Sequence, residues 1–147
     1  MKPINQNFLS RGVKMLALAA ALSGMMTGIA LADDVDVADG NAAHGEKIFN
    51  KCKACHTIEE GGPNRVGPNL YNVMNRGVAK KADYNYSKAM KEFGEKTPKW
   101  TPDILFTYLK NPRALVPGTY MSFAGLKKPQ DRDDLLAYLE KASGHEK

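Results

Sequence analysis

Apolar residues recur at helical spacing in three stretches of this 147-residue chain, with no long alternating run between them. In the first stretch Gly45, Ile48, Phe49 and Cys52 fall at i, i+3, i+4 and i+7, so they share one face. This spacing predicts a helix over 41–53 with an inward apolar stripe and Cys52 at its end. The second stretch starts at Thr101-Pro102-Asp103. Thr101 suits an N-cap, and Pro102 suits the first helical position, where the missing N–H has no intrahelical partner to lose. Leu105, Tyr108 and Leu109 form its inner face, and Asn111-Pro112 ends it. The third stretch runs from Pro129 to about Ala142, with Leu135, Leu136, Leu139 and Ala142 at helical spacing. Asp131, Asp133 and Asp134 lie near its positive end and Lys141 near its negative end, as the helix dipole favours, and Gly144 is a stop. A shorter helix is expected over 87–93. The remainder is Gly/Pro/Asn-rich, as in Gly61-Gly62-Pro63 and Gly67-Pro68-Asn69, and backbone of that kind can lie close against a flat surface. The expected class is all-α: three main helices plus short helices and loops.

The N-terminal residues have a different pattern. Lys2, Arg11 and Lys14 make a positive start with no acidic residue before Asp33, residues 15–29 are apolar and small, and Ala30-Leu31-Ala32 fits an A-x-A cleavage site. Residues 1–32 read as a signal peptide cleaved after Ala32, which places the mature protein in the periplasm. An uncleaved membrane anchor is the alternative. The uncharged run 15–32 is at the short edge of a span, and Ser23, Gly24, Thr27 and Gly28 weaken it further. A flexible acidic lead-in is expected over 33–40 and one domain over 41–147. The chain has 21 basic and 16 acidic residues, a net of +5. Taking away the three basic residues of the leader leaves 18 against 16, a net of +2. That balance excludes a strongly basic nucleic-acid binder. The 115 residues left after removing 32 from 147 build only a modest core, and domains of this size often need a staple.

The chemistry sits in Cys52-Lys53-Ala54-Cys55-His56, which holds the only two cysteines. Two thiols three residues apart can add across the two vinyl groups of one haem, and the imidazole that follows can ligate the iron from the same side. A thioredoxin-like pair would need a β-α-β context, which no strand run before Cys52 supplies. Zinc wants four ligands, yet only His44 and His145 remain and neither sits in a ligand-spaced pair. A disulfide over so short a loop would be strained and would leave His56 unexplained. Covalent attachment of one haem c is the expectation, and its apolar surface would enlarge the small core. The opposite iron position has three candidates outside the leader: Met74, Met90 and Met121. Met90 falls in the short helix and Met74 beside Tyr71 and Val73, so both read as packing. Met121 sits in the irregular loop 116–125, which can wrap the haem face opposite His56. A thioether there raises the reduction potential.

Further motifs follow in order: Gly67-Pro68-Asn69-Leu70, Tyr108-Leu109-Lys110-Asn111-Pro112, Pro117-Gly118-Thr119-Tyr120-Met121 and Leu135-Leu136-Ala137-Tyr138-Leu139. With C-x-x-C-H they resemble the class I cytochrome c family, especially its mitochondrial-like bacterial members, over nearly all of 40–142. The resemblance implies the cytochrome c fold, with Gly45 and Phe49 packing the first helix on the last. It implies that the Pro68 carbonyl accepts a hydrogen bond from His56, that Arg76, Tyr86 and Trp100 bind the haem propionates, and that Tyr108 and Thr119 belong to the segments around the ligand Met121. The departures are Tyr120 where the family usually has lysine, Met90 where relatives often have asparagine, Asn72 and Asn75 for glycines, and a slightly longer stretch between Met90 and Trp100.

By this resemblance the protein is a monomeric one-electron carrier and not an enzyme. A quinol-oxidising cytochrome bc complex is the expected donor, and a terminal oxidase, peroxidase, reductase or photosynthetic reaction centre the acceptor. Docking is expected to be transient, through Lys47, Lys51, Lys53, Arg65, Arg113, Lys127 and Lys128. The rival readings are a fixed or anchored haem subunit, and a haem peroxidase or gas-binding protein with a labile sixth ligand.

Overall fold

Asn41 opens the first helix by accepting a hydrogen bond from the His44 N–H at 3.0 Å. The helix, α1, spans Ala42–Phe49 in the computed structural model, which describes residues 39–144. The leader, most of the acidic lead-in and His145 therefore lie outside the described residues. The sequence places the apolar stripe of α1 correctly but carries the helix too far. After Phe49 the chain continues in tight turns, with Cys52 N–H bonded to Phe49 O at 2.8 Å and His56 N–H to Cys52 O at 2.9 Å. A 3-10 turn, Val73–Asn75, follows Asn72, whose φ of 55° is one that asparagine tolerates.

Helix α2, Lys88–Lys96, is capped by Ser87, which accepts from Met90 N–H at 3.1 Å. It runs one turn past the expected 87–93, with Gly94 packed so closely on Val78 that a Cβ would stand 2.6 Å from the Val78 carbonyl oxygen. Thr101 caps α3, Pro102–Lys110. Asn111 ends α3 and also caps α4, Pro112–Leu115, accepting from Ala114 N–H at 3.3 Å. The short α4 is an addition to the sequence reading, in which Asn111-Pro112 is only a stop. Helix α5, Pro129–Ala142, has the extent that its periodicity predicts.

Helices α1 and α5 cross closely at Gly45, where any Cβ would overlap the Asp134 carbonyl. The Phe49 and Tyr138 rings pack beside this crossing with centroids 5.3 Å apart. Phe49, Leu135 and Leu136 are fully buried and join Ile48, Leu105, Leu109 and Leu139 in the core. The carboxylate of Asp134 is buried in the same crossing. It accepts hydrogen bonds from Asn41 N–H at 2.8 Å, His44 Nδ1 at 2.5 Å and Gln130 Nε2 at 2.9 Å, so the buried charge is fully partnered.

Among the described residues there is no strand, only an isolated antiparallel bridge between Gly77 and Lys99. The fold is all-α, and its loops enclose a cleft next to the α1–α5 core.

Candidate functional site

Each of the ten residues expected at the site lines one cleft of about 1170 Å³, solvent-facing mouth included. A second hollow of about 450 Å³ shares Cys52, His56 and Met121 with it and reaches the core at Phe49, Leu135 and Leu139. His56 and Met121 thus border both spaces, from loops on either side of α2 and α3.

The turns after α1 bring Cys52 and Cys55 to the cleft edge, Cys52 half-buried and Cys55 exposed. Burial pushes the Cys52 thiol up to about 11, with Lys51 opposing and Cys55 adding to the shift. A thiol raised in this way is not itself a reactive thiolate. His56 Nδ1 lies 2.7 Å from the Pro68 carbonyl oxygen. A carbonyl can only accept, so Nδ1 carries the proton and Nε2 keeps a free lone pair. Burial holds the imidazole below its ordinary value, against the pull of the Pro68 bond, which keeps the ring neutral and able to ligate. Gly67 lies flat against this ring: a Cβ there would overlap His56 Cε1 and stand 2.7 Å from both ring nitrogens.

On the other side, Thr119 Oγ1 accepts from Met121 N–H at 3.3 Å and lies 3.3 Å from Tyr108 Oη. The Tyr108 hydroxyl donates to Met121 Sδ at 3.4 Å. Burial raises the Tyr108 phenol, Thr119 opposing, so it stays a donor. Trp100 is buried, with its ring centroid 5.2 Å from Tyr108 and 5.9 Å from Phe93. Tyr86 is half-buried and meets Tyr84 edge-on at 4.8 Å. Arg76 is half-buried, donating to Asn69 O at 2.9 Å and to Tyr71 O at 3.2 Å.

Of the other methionines, Met90 is buried and lines the cleft, whereas Met74 packs on the core without reaching it. Two cleft residues, Val66 and Tyr84, are absent from the sequence expectations, whereas Tyr120 is the one that precedes the expected ligand. Val66 and Tyr120 are 77 % and 69 % exposed at its mouth, the two exposed large hydrophobic residues among those described. Tyr84 donates to the Val66 carbonyl at 2.7 Å, tying two loops together there.

The donor set fits a haem: two thiols on one edge, a neutral imidazole with its Nε2 free, a thioether, and mostly apolar walls. The cytochrome c family model matches residues 42–143. The chain belongs to the cytochrome c family. A cytochrome c2 from Afifella marina is 52 % identical over 98 residues, 67 % of this chain and 79 % of the relative. A cytochrome c from Theileria parva is 49 % identical over 111 residues, 75 % of this chain and 93 % of the relative. Among solved structures, cytochrome cH from Methylobacterium extorquens superposes with a TM-score of 0.63 at 42 % identity, covering 69 % of this chain and 99 % of that one. This cytochrome c is a haem-based electron carrier with covalent haem c, and Cys52 and Cys55 fit the attachment motif. Its partners are redox proteins of electron-transfer chains.

Proposed function

We propose that the protein is a periplasmic shuttle whose single haem c is bonded through Cys52 and Cys55 and held axially by His56 Nε2 and Met121 Sδ. Bound haem supplies one-electron chemistry at its iron. The observation that carries the reading is the placement of His56 and Met121 on the same two hollows, each steadied by its own hydrogen bond. The Pro68 carbonyl orients the imidazole and makes it more basic. Tyr108 and Thr119 fix the Met121 loop. Arg76, Tyr86 and Trp100 line the cleft as partners for the two propionates, Arg76 supplying the compensating charge. With His56 and Met121 both holding the iron, no open position would remain for a substrate, which favours a carrier over a peroxidase or gas-binding role.

Export rests on the leader pattern of residues 1–32, and no helix among the described residues is long and apolar enough to cross a membrane. The quinol-oxidising cytochrome bc complex is the proposed donor. A terminal oxidase, peroxidase, reductase or photosynthetic reaction centre is the proposed acceptor. The monomer docks transiently by its cleft mouth. Lys47, Lys51, Lys53, Arg65, Arg113, Lys127 and Lys128 are all exposed and able to steer acidic partners, and Val66 and Tyr120 offer apolar contact. Replacing Met121 with Ala tests the ligation. The variant should bind carbon monoxide in the reduced state and show a lower potential than the parent. An unchanged low-spin spectrum with no carbon monoxide binding would refute Met121 as ligand and turn attention to Met90.

A further inference from the structure

Asn69 has no counterpart among the residues that the site was expected to use, yet each of its polar groups is engaged. It is 4 % exposed. Its Nδ2 donates to Thr57 Oγ1 at 2.7 Å and to the Glu59 carbonyl at 2.9 Å. Its Oδ1 accepts from Tyr71 N–H at 3.0 Å, and its own N–H donates to Asn64 Oδ1 at 3.0 Å. Its carbonyl accepts from Arg76 at 2.9 Å. Thr57 is buried in turn and donates to the Pro63 carbonyl at 2.7 Å.

The position of this hub gives it a role. Pro68, immediately before Asn69, carries the carbonyl that accepts from His56, and Thr57 immediately follows His56. The two strips of chain are also stitched by Gly67 N–H to Cys55 O and Leu70 N–H to Thr57 O, both at 2.8 Å. Between those stitches, the Asn69–Thr57 bond is the side-chain tie beside the His56–Pro68 contact. A proline has no N–H with which to anchor itself, so the direction of its carbonyl depends on the residues that flank it. We propose that Asn69 is a positioning residue: it holds the Pro68 carbonyl on His56 Nδ1 and, through its own carbonyl, sets Arg76 in register with that imidazole. The inference rests on His56 being the axial ligand. Buried polar networks of this kind rigidify when every member is satisfied, and one missing member loosens its neighbours. Outer hydrogen bonds of this type orient the metal ligands they support.

The test uses ferric holoprotein and proton NMR. Asn69→Ala should speed exchange of the His56 Nδ1 proton about tenfold, the scale expected when a buried hydrogen-bond network loses a member. It should also reorder the hyperfine-shifted haem methyl resonances, which report the orientation of the axial imidazole. Thr57→Val removes the same tie from the other end and should move both readouts in the same direction; it decides the matter if the Asn69 variant does not retain haem. Leu136→Ala is the control, because it destabilises a fully buried core position on α5, outside the two chain segments that the hub joins. Unchanged exchange and methyl order in the Asn69 and Thr57 variants would overturn the proposal, as would equal shifts in the Leu136 variant. If the parent shows no hyperfine-shifted ring signal from His56, the ligation itself is wrong, an outcome distinct from failure of the hub.

Discussion

Replacing Gly67 with alanine should unseat His56. The φ of Gly67 lies outside the left-handed region, so alanine carries no backbone strain there and the effect comes from contact alone. The new Cβ would overlap Cε1 and stand 2.7 Å from Nδ1 and Nε2 of the imidazole. Carbon contacts settle near about 3.5 Å, so the ring or the Gly67 backbone must yield by roughly 1 Å. A movement of that size stretches the 2.7 Å bond to Pro68 beyond hydrogen-bond reach. Overpacking costs about 1–3 kcal/mol and the broken buried bond about 1–3 more. The alanine also stiffens the unfolded chain, which returns about 0.4–1 kcal/mol. The net loss is about 3 kcal/mol, or a fall in midpoint of about 15 °C for a domain of this size. Thermal unfolding of the holoprotein, followed by circular dichroism and by the haem absorption band, measures both the stability and the ligand field. A variant with the parent's midpoint and spectrum would refute the claim that this glycine exists to admit the imidazole.

Two further substitutions probe the frame around the site. The buried Asp134 carboxyl would be raised by burial alone, but the hydrogen bonds from His44, Asn41 and Gln130 bring it below its ordinary value. A depressed folded value means that its contribution is complete above the unfolded value of about 4 and is lost as pH falls through the folded value. Asp134→Asn should therefore cost about 1–3 kcal/mol at pH 7 and flatten the acid limb in urea unfolding between pH 2 and 5; parallel curves for parent and variant would contradict this. Ala79, at the cleft wall, has φ of 56°, a conformation that costs a non-glycine residue about 1 kcal/mol or more. Ala79→Gly should be neutral to stabilising by up to about 1 kcal/mol once the entropy of the unfolded chain is counted, and a clear drop in the denaturation midpoint would show that its methyl packs on the cofactor space.

Local signals in the sequence suffice where side-chain chemistry acts over one helical turn. The α5 periodicity gave its full extent, and Thr101 and Pro102 marked the start of α3. The errors fall where tertiary contact overrides local pattern. The stripe through Gly45, Ile48, Phe49 and Cys52 predicts helix to 53, but the two cysteines reach one edge only by a tighter winding after Phe49. Asn111 reads as an end, yet its side chain starts α4 in the same place. The site divides in the same way. C-x-x-C-H states its chemistry by spacing, whereas the roles of Asn69, Tyr84 and Val66 depend on which loops meet, and periodicity carries no information about that.

The order of elements explains why such a short chain can hold a large cofactor. The two proposed iron ligands come from loops with little regular structure, and neither loop could hold its ligand alone. The first loop leaves α1 directly, and the second is bounded by α4 and α5. Because α1 lies on α5 across the Gly45 contact, fixing the helix pair also fixes where the first loop begins and where the second ends. Each ligand is then set locally: His56 by Pro68 and Gly67, Met121 by Tyr108 and Thr119. The Tyr108 side chain links the two levels, since it belongs to α3, stacks with Trp100 and donates to the Met121 sulfur. Loosening the α1–α5 crossing should therefore disturb both axial ligands together, whereas loosening Asn69 or Tyr108 should disturb one side only. Rigid support on both sides of the iron suits a carrier, because a site that keeps its geometry on gaining and losing an electron spends little on rearrangement.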